Sequence, residues 1–232
     1  MQDTMSDLKK WLLLLALTAV CVVISYEFLD RPIAFYLHEH VRHYRIFARA
    51  TQLPGLIVPL GAFVLLWLGI RALMQRPLSA FQAVILLCVV SLVITEAAKR
   101  ELKIAFGRTW PETWMRDNPS LMRDGVYGFT PFQGGQAFAS FPSGHTAAIC
   151  SVMAVLWLLY PRWRWLYAIS VLAVAGTLVG ANYHFLGDVI AGAFVGISVG
   201  WMSVRLWQAG LQRVGAERTF RVSVAEADGE NR

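Results

Sequence analysis

Charge is scarce in this sequence. Only 16% of its 232 residues are charged, against about a quarter in an ordinary soluble domain. A disordered chain needs low hydrophobicity and high charge, so that class is excluded. The 21 Lys and Arg residues are too few and too scattered for a nucleic-acid binder, and no nucleic-acid partner is expected. Cysteine is scarce as well: Cys21, Cys88 and Cys150 are odd in number, and each lies in an apolar run. No disulfide framework follows, there is no C-x-x-C metal spacing, and the three are read as small packing residues. What fills the chain instead is apolar: 56% of residues are hydrophobic. An ordinary cytosolic enzyme would expose too much of that surface to water. A single membrane-embedded domain over residues 1–232 is the class that remains.

A bilayer core of about 30 Å takes roughly 20 apolar residues in a helix. Six stretches meet or approach that length: Trp11–Phe28, Leu53–Leu73, Leu78–Ala98, Gly144–Tyr160, Trp165–Asn182 and Gly187–Trp207. The fold class expected is therefore an all-α integral membrane protein with six transmembrane helices. Lys9 and Lys10 before the first stretch resemble a signal peptide, but its length and the lack of an A-x-A site favour a retained span. The segment Asp30 to Arg49 mixes arginines with aromatics and predicts a helix lying in the membrane interface. It holds His38, His40 and His43. The first two are two residues apart and share no helix face, whereas His40 and His43 could; no metal site is expected there. Between the third and fourth spans, Lys99 to Phe141 is the longest polar segment. It is too aromatic for disorder and predicts an ordered cap loop over a site.

Lys and Arg divide almost evenly between the two sides of a six-span chain, so their count alone does not orient it. The two shortest loops, Arg71–Arg76 and Arg162–Arg164, are purely basic. They place both termini in the cytoplasm, with the cap on the outer face. Gly192, Gly196 and Gly200 recur at four-residue spacing, as do Gly176 and Gly180. Such spacing permits close helix approach, read here as internal packing, with a homodimer contact as the alternative. Residues 208–232 predict a short helix end and a flexible cytoplasmic tail.

Three polar clusters fall on the outer face in this arrangement. One runs from Lys103 through Arg108 to Pro111, the second is Phe141-Pro-Ser143-Gly144-His145, and the third holds His184 and Asp188. Polar groups at a bilayer boundary are expensive, so their convergence points to function. Ser143 can cap the fourth helix, where free N–H groups bind anions. Gly144 lets a ligand approach the backbone, and His145 can exchange a proton near neutral pH. His184 and Asp188 are four apart, so one helical turn brings them together. A carboxylate on one imidazole nitrogen raises the basicity of the other, giving a nucleophile or general base. Lys103 and Arg108 supply positive charge, Arg108 with a planar fork suited to phosphate.

On these residues the chain resembles the type 2 phosphatidic acid phosphatase family, also called the PAP2 or lipid phosphate phosphatase superfamily. The resemblance covers about Glu96 to Val204. The family motifs read K-x6-R-P, P-S-G-H and S-R-x5-H-x3-D. The second is complete at Pro142 to His145, and H-x3-D is complete at His184 and Asp188. Lys103 and Pro111 match the first. Trp110 stands where an arginine is expected, and Thr177-Leu178 stands for Ser-Arg. The resemblance implies metal-free, cofactor-free removal of phosphate from an amphiphilic lipid phosphate or diphosphate. His184 would form a phosphohistidine, Asp188 would orient it, and His145 would protonate the leaving group. Lys103, Arg108, Ser143 and Gly144 would hold the phosphate, with Arg108 and either Arg116 or Arg123 replacing the missing arginines. A bacterial inner membrane is the expected location, with the site on the periplasmic face. Transfer of the phosphate to another lipid, or a non-catalytic lipid-binding or transport role, are the alternatives.

Overall fold

The computed structural model describes residues 2–41, 57–74, 76, 78–114, 117–213, 215, 219–220 and 223–224. Arg116, His43 and the rest of the expected interfacial segment past residue 41 lie outside them. Among the described residues the structure is all-helical, with isolated β-bridges in segment 107–143. In chain order the main helices are α1 (Gln2–Ile24), α2 (Asp30–His40), α3 (Ile57–Leu73), α4 (Ala80–Phe106), α5 (Leu121–Asp124), α6 (Gly144–Leu159), α7 (Arg164–Gly180) and α8 (Leu186–Arg213).

Four helical stretches are long and apolar enough to cross a membrane: Met5–His40, Ala80–Phe106, Pro161–Gly180 and Leu186–Arg213. The second and fourth expected spans are instead α3 and α6, of 17 and 16 residues. At 1.5 Å per residue α6 reaches about 24 Å, short of a full hydrocarbon core, and the described part of α3 spans about 26 Å. The first stretch also departs from expectation. It does not break near Phe28 but runs on through a π-helical turn, Ser25–Leu29, into α2. Pro32 is the physical reason. It has no N–H to donate, and its ring crowds the carbonyl four residues earlier, which a widened turn relieves.

Local sequence sets the helix ends. Ser79 and Gln82 form a reciprocal capping box at the start of α4. Gly107, at φ 55°, ends it in the left-handed conformation, where glycine carries no steric penalty. Ser143 caps α6 by accepting from the Thr146 N–H. The other end of α6 stops at Tyr160, before Pro161, because the residue preceding proline avoids helical geometry.

α6 and α8 form the centre of the bundle, and glycines let them touch. A β-carbon at Gly196 would lie 2.2 Å from the Ala147 carbonyl oxygen. One at Gly192 or Gly200 would lie 2.5 Å from the Ser143 or Ser151 carbonyl. Glycine spacing on α8 thus serves internal packing, whereas at Gly176 of α7 a β-carbon would meet nothing within 4 Å. α1 leans on α8 through Trp11, whose indole N–H donates to Ser198 Oγ at 3.0 Å. Val84, Leu87, Val155, Leu159 and Val204 form an apolar core from α4, α6 and α8. Val224 joins it, and Phe220 stacks edge-on against Trp207 at 6.0 Å. Phe220 and Val224 therefore pack back on the bundle within the segment expected to be a helix end and flexible tail. Outward-facing Leu13, Phe63 and Leu172 are each about 70% exposed, an apolar rim that water would disfavour and lipid would not. All three cysteines are free; Cys150 is buried and the others half-buried.

The α6–α8 contact yields a test. Gly196→Val drives two branches into the α6 backbone and is expected to cost about 1–3 kcal/mol, as overpacking typically does. Gly176→Val, facing open space, should not show that loss. Thermal unfolding of both variants in detergent reads the difference.

Candidate active site

Three chain segments converge at one end of the bundle. The end of α4 brings Lys103, the start of α6 brings Gly144 and His145, and the turn before α8 brings His184. With Lys99, one helical turn before Lys103, these residues line a cavity of about 200 Å³. Trp110 and Tyr183 form its aromatic wall. A larger cavity of about 590 Å³ lies elsewhere, between α1, α6, α7 and α8. Its walls include Trp11, Trp157 and Phe194 and none of the expected site residues.

His184 is almost wholly buried, and its Nδ1 lies 3.3 Å from Asp188 Oδ2. The same oxygen accepts from Ser140 Oγ at 2.5 Å and from the Phe185 N–H at 3.1 Å. An ionised carboxylate only accepts, so the proton of His184 sits on Nδ1 and Nε2 keeps its lone pair. Burial pushes the His184 pKa down, and the Asp188 hydrogen bond and charge oppose that only in part. The neutral ring is thereby favoured. Trp110 packs on it with ring centres 5.2 Å apart.

The two lysines supply the positive charge of the cavity. Lys103 donates to the Ala139 carbonyl and stands 5.7 Å above the Trp110 ring. Lys99 pairs with Glu96 at 2.6 Å. It also lies against Gly144, where a β-carbon would come within 2.9 Å of the Lys99 ammonium. Ser143 is fully buried as the cap of α6, and its hydroxyl lies 3.0 Å from Thr146 Oγ1. Its N–H donates to the Asp188 carbonyl at 2.9 Å, tying the starts of α6 and α8 together.

Arg108 and Arg123 stand elsewhere than expected. Arg108 is fully buried and does not line the cavity. Its Nη1 donates to Asp188 Oδ1 at 2.5 Å and its Nη2 to Asp30 Oδ2 at 2.6 Å. Phe185 and Phe129 cover its faces at 4.4 and 4.9 Å. Burial alone would lower its pKa, but the two carboxylates more than reverse this and hold the guanidinium charged. With both fork nitrogens on carboxylates, Arg108 has little left to offer a phosphate. Arg123 is exposed on α5 and is occupied by Asp117 and Asp124 at 3.1 and 2.9 Å. Its hydrogen bonds, like its exposure, keep it away from the cavity. Leu178, at the other family arginine position, is a buried core residue.

The sequence reading missed Lys99, Tyr183, Ser140 and Asp30. Lys99 had a legible signal, since its four-residue spacing to Lys103 puts both on one helix face. Asp30 had one too, since with Glu27 it places carboxylates at the end of an apolar run. Tyr183 adjoins His184 in the chain, but only the tertiary arrangement sets its ring near His145 and brings Ser140 to His184. Segment 107–143 is also tied to α2. Buried Glu112 pairs with His38 and accepts from Asn182 Nδ2 at 3.3 Å.

The family model described as the PAP2 superfamily matches residues 80–211. Two similar relatives are both named lipid A 1-phosphatase. The one from Rhizobium etli is 39% identical over 90 residues, covering 38% of each chain. The one from Rhizobium johnstonii is 37% identical over 90 residues, covering 38% of this chain and 36% of the relative. The matched stretch thus spans well under half of the relatives' length. No solved structure matches the chain. The family match takes in more than half of the sequence, including every residue placed on the cavity, and the chain belongs to the PAP2 superfamily.

Proposed function

We propose that this protein is a membrane phosphatase that removes phosphate from a lipid phosphate or diphosphate through a phosphohistidine on His184. The observation that carries this reading is one cavity lined by His145, His184, Lys99 and Lys103, with His184 Nδ1 held on Asp188. The Nε2 lone pair of His184 attacks phosphorus in line, and the bond to the leaving oxygen breaks as His145 gives it a proton. His145 then takes a proton from the water that attacks the phosphohistidine, releasing inorganic phosphate and restoring His184. The positive charge that forms on His184 is stabilised by Asp188 behind it. Lys99, Lys103 and the Gly144 N–H meet the equatorial oxygens, which is where phosphoryl transfer needs electrostatic stabilisation. Lys99 thereby takes the place of the charge lost at the family arginine positions Trp110 and Leu178.

The names of the two relatives favour a lipid A phosphate among the possible amphiphiles. The apolar exterior keeps the acyl chains in lipid while the head group enters the cavity. Six spans, with α3 and α6 as short crossings, put the histidines and lysines together on the outer face of a bacterial inner membrane and both termini in the cytoplasm.

Purified protein in detergent, given lipid A phosphate, phosphatidic acid, phosphatidylglycerol phosphate and an isoprenyl diphosphate, should release inorganic phosphate from at least one. A chelator should not diminish that release. His184→Gln should abolish it, and His145→Ala should reduce kcat by about 10²–10⁴-fold, the usual worth of general acid–base help. A labelled donor whose phosphate reappeared on a second lipid rather than in solution would make the enzyme a phosphotransferase.

Lys99→Ala should lower kcat/KM by about tenfold or more, as loss of a charge-assisted phosphate contact does. Full activity in that variant would remove Lys99 from the site.

The pH dependence follows from His184. Its pKa is lowered, so the nucleophile stays unprotonated below the ordinary histidine value of about 6.5. The acid limb of kcat/KM is expected below that value, with activity lost as pH falls through it. A limb above it would contradict the assignment.

A further inference from the structure

Asp30 is 1% exposed, lies outside residues 80–211, and is absent from the cavity wall. It nevertheless holds the back of the site by two routes. Its Oδ2 accepts from Arg108 Nη2 at 2.6 Å, and Arg108 Nη1 donates to Asp188 Oδ1 at 2.5 Å. Its Oδ1 accepts from the backbone N–H of Gly187 at 3.0 Å, the residue before Asp188. Ser25 Oγ donates to the same oxygen at 2.6 Å, across the π-helical turn. A β-carbon at Gly187 would lie 3.2 Å from Asp30 Oδ2, so the chain approaches this carboxylate closely. Tyr127 donates to the Tyr26 carbonyl at 2.7 Å and offers its oxygen to Arg108 at 3.2 Å, closing the cage.

Charge decides what this arrangement does. One guanidinium is shared between two buried carboxylates, so the cluster keeps a net negative charge next to His184. If Asp30 were neutral, Arg108 would cancel Asp188, and His184 would lose the charge that raises its basicity and stabilises its positive phosphorylated form. We infer that Asp30, on the first helical stretch, is a positioning residue that sets the strength and orientation of His184 through Arg108 and Asp188. The inference rests on the reading of His184 as the nucleophile and extends the machinery to a helix outside the matched region. The other charged or titratable groups that face His184 are Lys103 and Tyr183, with Lys99 and His145 on the same cavity. None of them touches Asp30.

Full-length protein in detergent tests it with two readouts. In turnover, Asp30→Asn should lower kcat about 10–100-fold, the range seen for residues that orient a ligand from behind, and leave KM within about twofold. Asp30→Glu, which keeps the charge, should recover part of the loss. In an Arg108→Gln background, Asp30→Asn should add little, because both act through one path. A rise in KM at unchanged kcat, or full additivity, would overturn the inference. The second readout needs no substrate: nitrogen-15 NMR of labelled histidines, with His184 assigned by its loss in His184→Gln. Asp30→Asn should move the His184 ring signals and shift their titration to more acid pH; an unmoved titration overturns the inference. Should wild type hydrolyse no lipid phosphate, the phosphatase reading fails, and the ring titration still decides the role of Asp30. If Asp30→Asn does not fold, Ser25→Ala loosens the same carboxylate and should move the His184 titration in the same direction by less.

Discussion

A guanidinium shut away from water between two carboxylates organises this end of the molecule. Arg108 is reached by Asp30 from the first helical stretch and by Asp188 from α8. Each partner alone would be a costly buried charge, and removing one member of such a group typically costs about 3–5 kcal/mol. The three therefore have to be assembled together. The left-handed turn at Gly107 aims Arg108 inward, Ser25 and the Gly187 N–H fix Asp30, and Ser140 and the Phe185 N–H fix Asp188. Every hydrogen bond that steadies Asp188 also steadies His184, because Asp188 Oδ2 is the partner of its Nδ1.

The close contact of α6 and α8 works in the same direction. His145 and His184 arrive at one cavity because their helices start side by side. They can lie that close only where α8 has no side chains, at Gly192, Gly196 and Gly200. The Ser143 N–H, bonded to the Asp188 carbonyl, joins the two helix starts directly. Dispersion and backbone contact replace the hydrophobic drive that a bilayer would remove between apolar helices. Both arrangements leave the cavity itself open toward two lysines rather than toward Arg108 and Arg123, whose forks are already occupied by aspartates.

Much of the plan was legible in the sequence. Apolar runs located the helices, and P-S-G-H with H-x3-D picked out His145 and the His184–Asp188 pair on two neighbouring segments. The reading failed where two side chains of the same type compete for different partners. Arg108 and Arg123 both looked free to bind phosphate, since nothing along the chain shows that Asp30 and Asp188 claim one and Asp117 and Asp124 the other. Lys99 was read only as the start of the polar segment after the third span, although its spacing to Lys103 already placed it on the same face. The π-helical turn before Asp30 was also unread, because Pro32 alone does not say whether a helix breaks or widens.

By itself the sequence determined that the chain is apolar enough for a bilayer, which residues carry the family motifs, and that glycine spacing would bring helices together. Those properties depend on composition and on intervals along one segment. Only the tertiary structure decided which cation faces the cavity and which is shut behind it. That choice rests on distances between groups far apart in sequence: Asp30 with Arg108, Arg108 with Asp188, and Lys99 with Gly144. A buried charge takes whichever opposite charge the fold brings within reach, and no local pattern records that distance.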